Sequence, residues 1–218
     1  IISLATLALG LLGLLYRWLF WGLLLLLVGV NIGPIRDILR RFRPRSPGQP
    51  FSRFAIFLFV FLGFTFFLAL LSALTPPVAW DALVYHLTGP RTYVEAGRVL
   101  HVPDNFHLSF PALTEMLFLC GMLLKGDVVP HLIHLSFGTL TVAAVYSFSR
   151  KHFTGNVPAL GAALMASIPT AATVTTWAYV DLALAFYSFL AFFAVVNWLD
   201  DRHRYRWPLI AGCLLYTS

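Results

Sequence analysis

The run FAIFLFVFLGFTFFLALLSALT, Phe54–Thr75, decides how the chain is read. It carries no ionisable side chain. A helix rising about 1.5 Å per residue needs about 20 apolar residues to cross a hydrocarbon core of about 30 Å, so this run is long enough to span. Its flanks differ. Six arginines precede or open it (Arg36, Arg40, Arg41, Arg43, Arg45 and Arg53), and Pro76-Pro77 follows it, leading into a polar segment that lasts until Asp127.

The whole composition agrees with that run. Apolar residues make up 59% of the 218 residues and charged residues 11%, where a soluble chain has about 45–50% and about 25%. So few charges cannot cover a water-facing surface, which excludes an ordinary soluble domain. The net charge of +6 is concentrated in Arg36–Arg53. That cluster lies between two apolar runs, so it reads as a cytoplasmic loop rather than a nucleic-acid patch, and no nucleic-acid partner is expected. Cys120 and Cys213 sit in apolar segments without a metal-binding spacing and read as buried thiols. The apolar start at Ile1 and the new apolar run from Trp207 are expected to be cut ends of a longer protein. Residues 213–218, Cys-Leu-Leu-Tyr-Thr-Ser, resemble adapter read-through and are given no functional weight.

Further spans are expected at Val128–Ser149, Val157–Tyr179 and Asp181–Leu199. Ile1–Leu15 and Trp18–Gly33 read as two short spans, because a single helix would put Arg17 near mid-membrane at about 2.5–3.5 kcal/mol. Pro111–Leu124, at 14 residues, reaches only about 21 Å and is read as a helix on the membrane surface. With that choice eleven Lys and Arg fall inside and four outside, in line with the inside bias of basic loops. The expected fold is therefore all-α, a polytopic transmembrane helical bundle with a long extracytoplasmic loop, 76–127, that carries juxtamembrane helices. It divides into residues 1–53, a core at 54–199, and 200–218. The expected place is the cell (inner or plasma) membrane, with the site facing outside the cytoplasm.

Ionisable groups are scarce inside the clearest spans and gather in that loop and at Asp181. Asp81 is the first candidate, at the point where the chain leaves the membrane; its bland alternative is a helix N-cap. Tyr85 follows one helical turn later and shares its face, whereas α-helical spacing turns His86 away. Asp181 opens a span on the same side and could meet Asp81 over one cavity. His101 and His107 flank Asp104 in His-Val-Pro-Asp-Asn-Phe-His, a spacing commoner in solvated loops than in metal sites. His131 and His134 read as packing residues. Arg91 and Arg98 suit a phosphate or a snorkelling surface role. Pro169 is expected to kink its span, and Gly161, Ala162, Ala163, Ala166 and Ser167 to form a close-packing face.

Several elements together carry a resemblance: Trp80-Asp81-Ala82-Leu83-Val84-Tyr85-His86, Phe110-Pro111 opening a surface helix, Arg150-Lys151-His152-Phe153-Thr154-Gly155, and Tyr179-Val180-Asp181. Their order from Phe54 to Leu199 resembles the GT-C membrane glycosyltransferases, in particular the bacterial (family-39-like) relatives of the protein O-mannosyltransferases and the lipid A aminoarabinose transferase. The resemblance implies an inverting transfer from a polyprenyl-phosphate sugar donor to a glycan, lipid or protein acceptor outside the cytoplasm. It implies Asp81 and Asp181 as the catalytic carboxylates, with Asp81 the general base; Tyr85, His86, Arg91, Arg98, His107 and Glu115 are the candidate substrate-binding groups beside them. A divalent metal is the one cofactor it leaves open, since Ala82 stands where relatives carry a second acid. Phe110 stands where they carry Lys or His. The competing expectation is a lipid or polysaccharide transporter or flippase without transferase chemistry. The fragment alone is expected to be inactive.

Overall fold

The computed structural model describes residues 1–41, 52–109 and 112–217. Among these the chain is helical throughout and has no strand. Arg43, Arg45, Phe110, Pro111 and Ser218 lie outside the described residues.

Among the described residues, three helices are long and apolar enough to cross a membrane. The first, α4 (Arg53–Ala73), has a mean hydropathy of 2.8. Ser52 caps it, its hydroxyl accepting from the Ala55 N–H at 3.0 Å, which satisfies one of the orphan donors at a helix start. The others are α7 (Val128–His152) and α10 (Asp181–Asp200). α7 packs against α4, α8 (Val157–Ser167) and α10, and it is the most enclosed of the three.

Helix ends meet in a fixed order. The end of α4 meets the start of α7, where His131 Nδ1 lies 3.3 Å from the Ala73 carbonyl. At the opposite end, Ser52 donates to Asn156 at 2.6 Å, and Lys151 reaches Asp200 at 2.6 Å. One end of the bundle therefore carries the segments around Asp81 and Asp181. The other carries Arg53, Arg150, Lys151 and, after α10, Arg202, Arg204 and Arg206.

This order requires the segment between α4 and α7 to return to the end it left. It does so through α5 (Thr88–Ala96) and α6 (Leu113–Lys125). At 13 residues, α6 is about 20 Å long, short of a crossing. Gly97 ends α5 with φ 67°, the left-handed turn that favours glycine.

The first residues form two short apolar helices, α1 (Ile2–Leu11) and α2 (Arg17–Val30), of 10 and 14 residues. α1 packs on α6. Leu15 and Phe20 join Tyr93, Met116 and Leu119 in one core cluster, and the Val99 N–H donates to the Gly10 carbonyl at 2.9 Å. Part of their apolar sequence meets a protein surface, which hydropathy alone does not show. A third helix, α3 (Ile32–Arg41), follows α2 directly.

Val157–Tyr179 is not one helix. α8 stops at Ser167, Ile168 is extended with ψ 115°, and α9 (Pro169–Val174) makes a separate short turn. Pro169 has no N–H to continue the ladder and drives the preceding residue out of the helical region. The result is a break rather than a kink. The small face of α8 packs as expected: Ala159 and Ala163 sit on Leu58 of α4, and a side chain added at Gly161 would meet Ser149 of α7 at 3.2 Å. α11 (Arg206–Thr217) closes on α10. Cys120 is buried, but Cys213 is exposed on α11, which corrects the reading of both as buried.

A candidate active site at the Asp81 end

The chain between α4 and α5 makes an unusual turn. Residues Ala82–His86 form a π-turn, with the Leu87 N–H bonding the Ala82 carbonyl five residues back at 2.9 Å. Such turns are rare and recur at functional sites. Neighbouring side chains stabilise this one. The Thr88 hydroxyl donates to the Leu83 carbonyl, and the Asn105 amide donates to the Val84 carbonyl at 2.9 Å.

The π-turn changes which side chains share a side. In an α-helix His86, five residues after Asp81, would stand about 140° round the axis. In a turn bonded i to i+5, that residue comes back round above the first. Asp81, Tyr85 and His86 accordingly line one cavity of about 270 Å³. The expectation that His86 points away is corrected, and the cause is the extra residue in the turn.

α6 and the start of α10 complete the wall. Glu115 faces His86, its Oε1 2.8 Å from His86 Nδ1. Tyr179 and Asp181, at the start of α10, and Tyr93 and Met116, of α5 and α6, line the cavity as well. His107 stacks on Tyr85 with centroids 4.8 Å apart and planes 10° apart. The cap alternative fails for both acids: neither Asp81 nor Asp181 makes a capping side-chain bond, and Asp181 lies inside the first turn of α10. There it faces the positive end of the helix dipole.

Asp181 is placed by a residue that sequence reasoning left as packing. His134 of α7 is fully buried. Its Nδ1 lies 3.0 Å from the Val174 carbonyl, and its Nε2 accepts the Leu182 N–H at 3.2 Å. This fixes the neutral tautomer with the proton on Nδ1. One ring ties α7 to the turn after α9 and to the residue beside Asp181. The His131-x-x-His134 spacing hinted at a shared face but not at these partners.

The cavity is acidic and aromatic. Burial, and after it the field of Asp81, holds the Tyr85 phenol above its usual value; Tyr179, Asp181 and Glu115 add to the effect. Tyr179 is likewise raised, by burial and then by Asp81, although a hydrogen bond from the Asp81 backbone opposes this. Tyr93 is raised by burial and then by Glu115.

Of the expected binding residues, Tyr85, His86, His107 and Glu115 are brought together, and Arg91 and Arg98 are not. Arg91 is exposed and pairs with Asp127, and Arg98 is exposed. His101 and Asp104 are exposed as well. Among the described residues no Lys or Arg lines the cavity. Nor does any group of three or more His, Cys, Asp or Glu take an arrangement that could hold a metal ion.

A second, larger groove of about 550 Å³ lies between α4, α7, α8, α9 and the start of α10. Leu62, Phe66, Leu135 and Met165 give it an apolar wall. Its hydroxyls are turned inward on their own backbone, with Thr173 donating to the Pro169 carbonyl and Thr175 to the Ala171 carbonyl. Trp177 and Leu182 line the groove, while Tyr179, Val180 and Asp181 line the cavity, so the strip 177–182 is a wall common to both.

No family model matches the chain, and no curated protein or solved structure matches it either.

Proposed function

We propose that this chain belongs to a multi-pass membrane glycosyltransferase that moves a sugar from a polyprenyl-phosphate donor to an acceptor outside the cytoplasm, with inversion. The observation that carries this reading is the meeting of Asp81 and Asp181 on one cavity that shares a wall with an apolar groove. A lipid-linked sugar needs that pair of surfaces: a polar cavity for the sugar, and an apolar slot beside it for the chain.

Asp81 takes the proton from the acceptor hydroxyl or amine as it attacks the anomeric carbon. The C1–O bond to phosphate breaks, and its electron pair leaves with the phosphate. Positive charge develops on the sugar ring, and Asp181 and the other cavity carboxylates stabilise it electrostatically. The orientation follows from the basic residues. Arg53, Arg150, Lys151 and Arg202–Arg206 gather at the end opposite the cavity, and basic loops favour the cytoplasmic side. The Asp81 end then faces outward.

The experiment uses the protein, expressed from its complete reading frame, in liposomes with radiolabelled polyprenyl-phosphate sugars. Transfer that is lost in Asp81→Asn, with the protein still folded, supports the reading. The groove also suits a transporter or flippase. That rival predicts movement of labelled lipid across the bilayer with no sugar transfer and no dependence on Asp81. Cysteine labelling that put positions 81 and 181 on opposite sides of the membrane would end the transferase reading.

A further inference from the structure

Transfer from a phosphate leaves negative charge on the departing oxygen, and something must meet it. The two exposed arginines expected in that role stand outside the cavity, and among the described residues no Lys or Arg lines it. The groups present are Asp81, Tyr85, His86, His107, Glu115, Tyr93, Tyr179 and Asp181. Only the two histidines can carry a positive charge.

They are placed differently. His107 is half-buried on the short 3₁₀ turn Phe106–Ser109 and stacks on Tyr85. His86 is 4% exposed, and its Nδ1 lies 2.8 Å from a carboxylate that is itself largely enclosed. Two independent features hold it there. The π-turn brings it to the side of Asp81, and Glu115 fixes its ring from α6. A carboxylate accepting from Nδ1–H orients an imidazole and leaves Nε2 as the nitrogen to offer the cavity. His86 and Glu115 lie 29 residues apart in sequence, so the pair exists only because α6 folds back beneath the turn.

We propose that His86, oriented by Glu115, is the acid that meets the leaving phosphate. The inference rests on the transferase reading above. In the step, the acceptor proton goes to Asp81, the new bond forms at the anomeric carbon, and the C1–O electron pair passes to the phosphate oxygen. His86, as imidazolium, gives its Nε2 proton to that oxygen and is left neutral. Release of the Asp81 proton and reprotonation of His86 restore the starting state, so protons and electrons balance. Asp81 and His86 are then a base and an acid presented by one turn, and the extra residue of the π-turn is what brings them to the same side. Glu115 is a positioning residue.

The test compares wild type, His86→Gln, His86→Ala and Glu115→Gln, each from the complete reading frame in liposomes with the donor that wild type uses. His86→Gln should lower kcat about 100-fold and change KM less than about threefold, within the range for losing a general acid. Added imidazole should restore His86→Ala at least about tenfold, a rescue that a purely packing role would not produce. Glu115→Gln, which keeps a hydrogen-bond acceptor but removes the charge, should lose about tenfold and stay insensitive to imidazole. A His86→Gln enzyme within about threefold of wild type overturns the proposal, as does a His86→Ala enzyme that imidazole does not rescue. Both results leave the transferase reading standing. Wild-type vesicles inactive with every donor overturn that reading and this one together.

Discussion

The cavity at the Asp81 end and the opposite end of the bundle treat their charges in opposite ways. At the Lys151 end the ion pairs are in the open. Lys151 and Asp200 meet at 2.6 Å with side chains 40% and 49% exposed, and Arg204 pairs with Asp201 at 2.7 Å. Such pairs contribute about 0–1 kcal/mol, because solvent and side-chain entropy offset most of the attraction. At the Asp81 end the His86–Glu115 pair is 5% and 15% exposed, and two further acids and several phenols crowd around it. Removing charged groups from water is costly and seldom the best route to stability. The Lys151 end is therefore built as a solvated anchor, as is the Arg91–Asp127 pair outside the cavity, whereas the cavity holds its polar groups at a cost that stability does not explain. The phenols among them, Tyr85, Tyr93 and Tyr179, are held above their usual value chiefly by burial, and groups shifted in this way gather at reactive sites.

The largest effect that would break this comparison is chemical. Asp81→Asn should reduce sugar transfer by about 10²–10⁴-fold, the range for a lost general base, with the thermal midpoint in detergent almost unchanged. A variant that keeps wild-type rates would put the Asp81 end on the same footing as the other. Next comes His134→Ala. It leaves the Leu182 N–H without its partner, at about 1–3 kcal/mol, while the Val174 carbonyl keeps the Trp177 N–H. Thermal unfolding should fall clearly, and transfer with it, because Asp181 adjoins the loosened residue. Unchanged stability would mean that water or another group replaces the ring.

A smaller effect sits in the phenols. The Tyr85 value is raised by burial and then by Asp81. A group whose folded value lies above its unfolded value, near 10.0, contributes stability that is complete below that pH and is lost as pH rises through the folded value. Tyr85→Phe should therefore lose less stability than wild type between neutral pH and the alkaline range above 10. Paired melts across that range would check it, and parallel curves would remove Tyr85 from the account.

How much of this was legible depends on which physical signal each residue leaves in the sequence. The span at Phe54–Thr75 was plain because lipid demands an uninterrupted apolar run, and the structure moves its ends by only one or two residues. The return of the chain through α6 followed from length and the placement of basic residues. The π-turn was not legible. Helical spacing assumes 3.6 residues per turn, and the extra residue is held by Thr88 and Asn105, whose bonds to Leu83 and Val84 depend on tertiary folding. His86 was consequently turned to the wrong side. The break at Ile168 was half legible: Pro169 announced it, but the continuous apolar composition hid its extent. The packing of α1 on α6 was not legible, since a helix face that meets protein reads the same in sequence as one that meets lipid. The partners of His134 lie 40 and 48 residues away, beyond what any local pattern records.

The smallest effect is the sharpest control. Lys151 bonds both Asn197 and Asp200 across α7 and α10, and by contact alone it rivals His134 as a tie between those helices. Exposure separates them. Water replaces whatever Lys151 loses, so Lys151→Met should shift stability by less than about 1 kcal/mol and leave transfer at wild-type rates. Raising salt should have a similarly small effect on wild type, since exposed charges are screened over about 8–10 Å at physiological ionic strength. A large loss on Lys151→Met would show that the two ends do not differ in kind. The enclosure of His86 and Glu115 could then be read as one more structural pair, and the case for chemistry at the Asp81 end would rest on Asp81 alone.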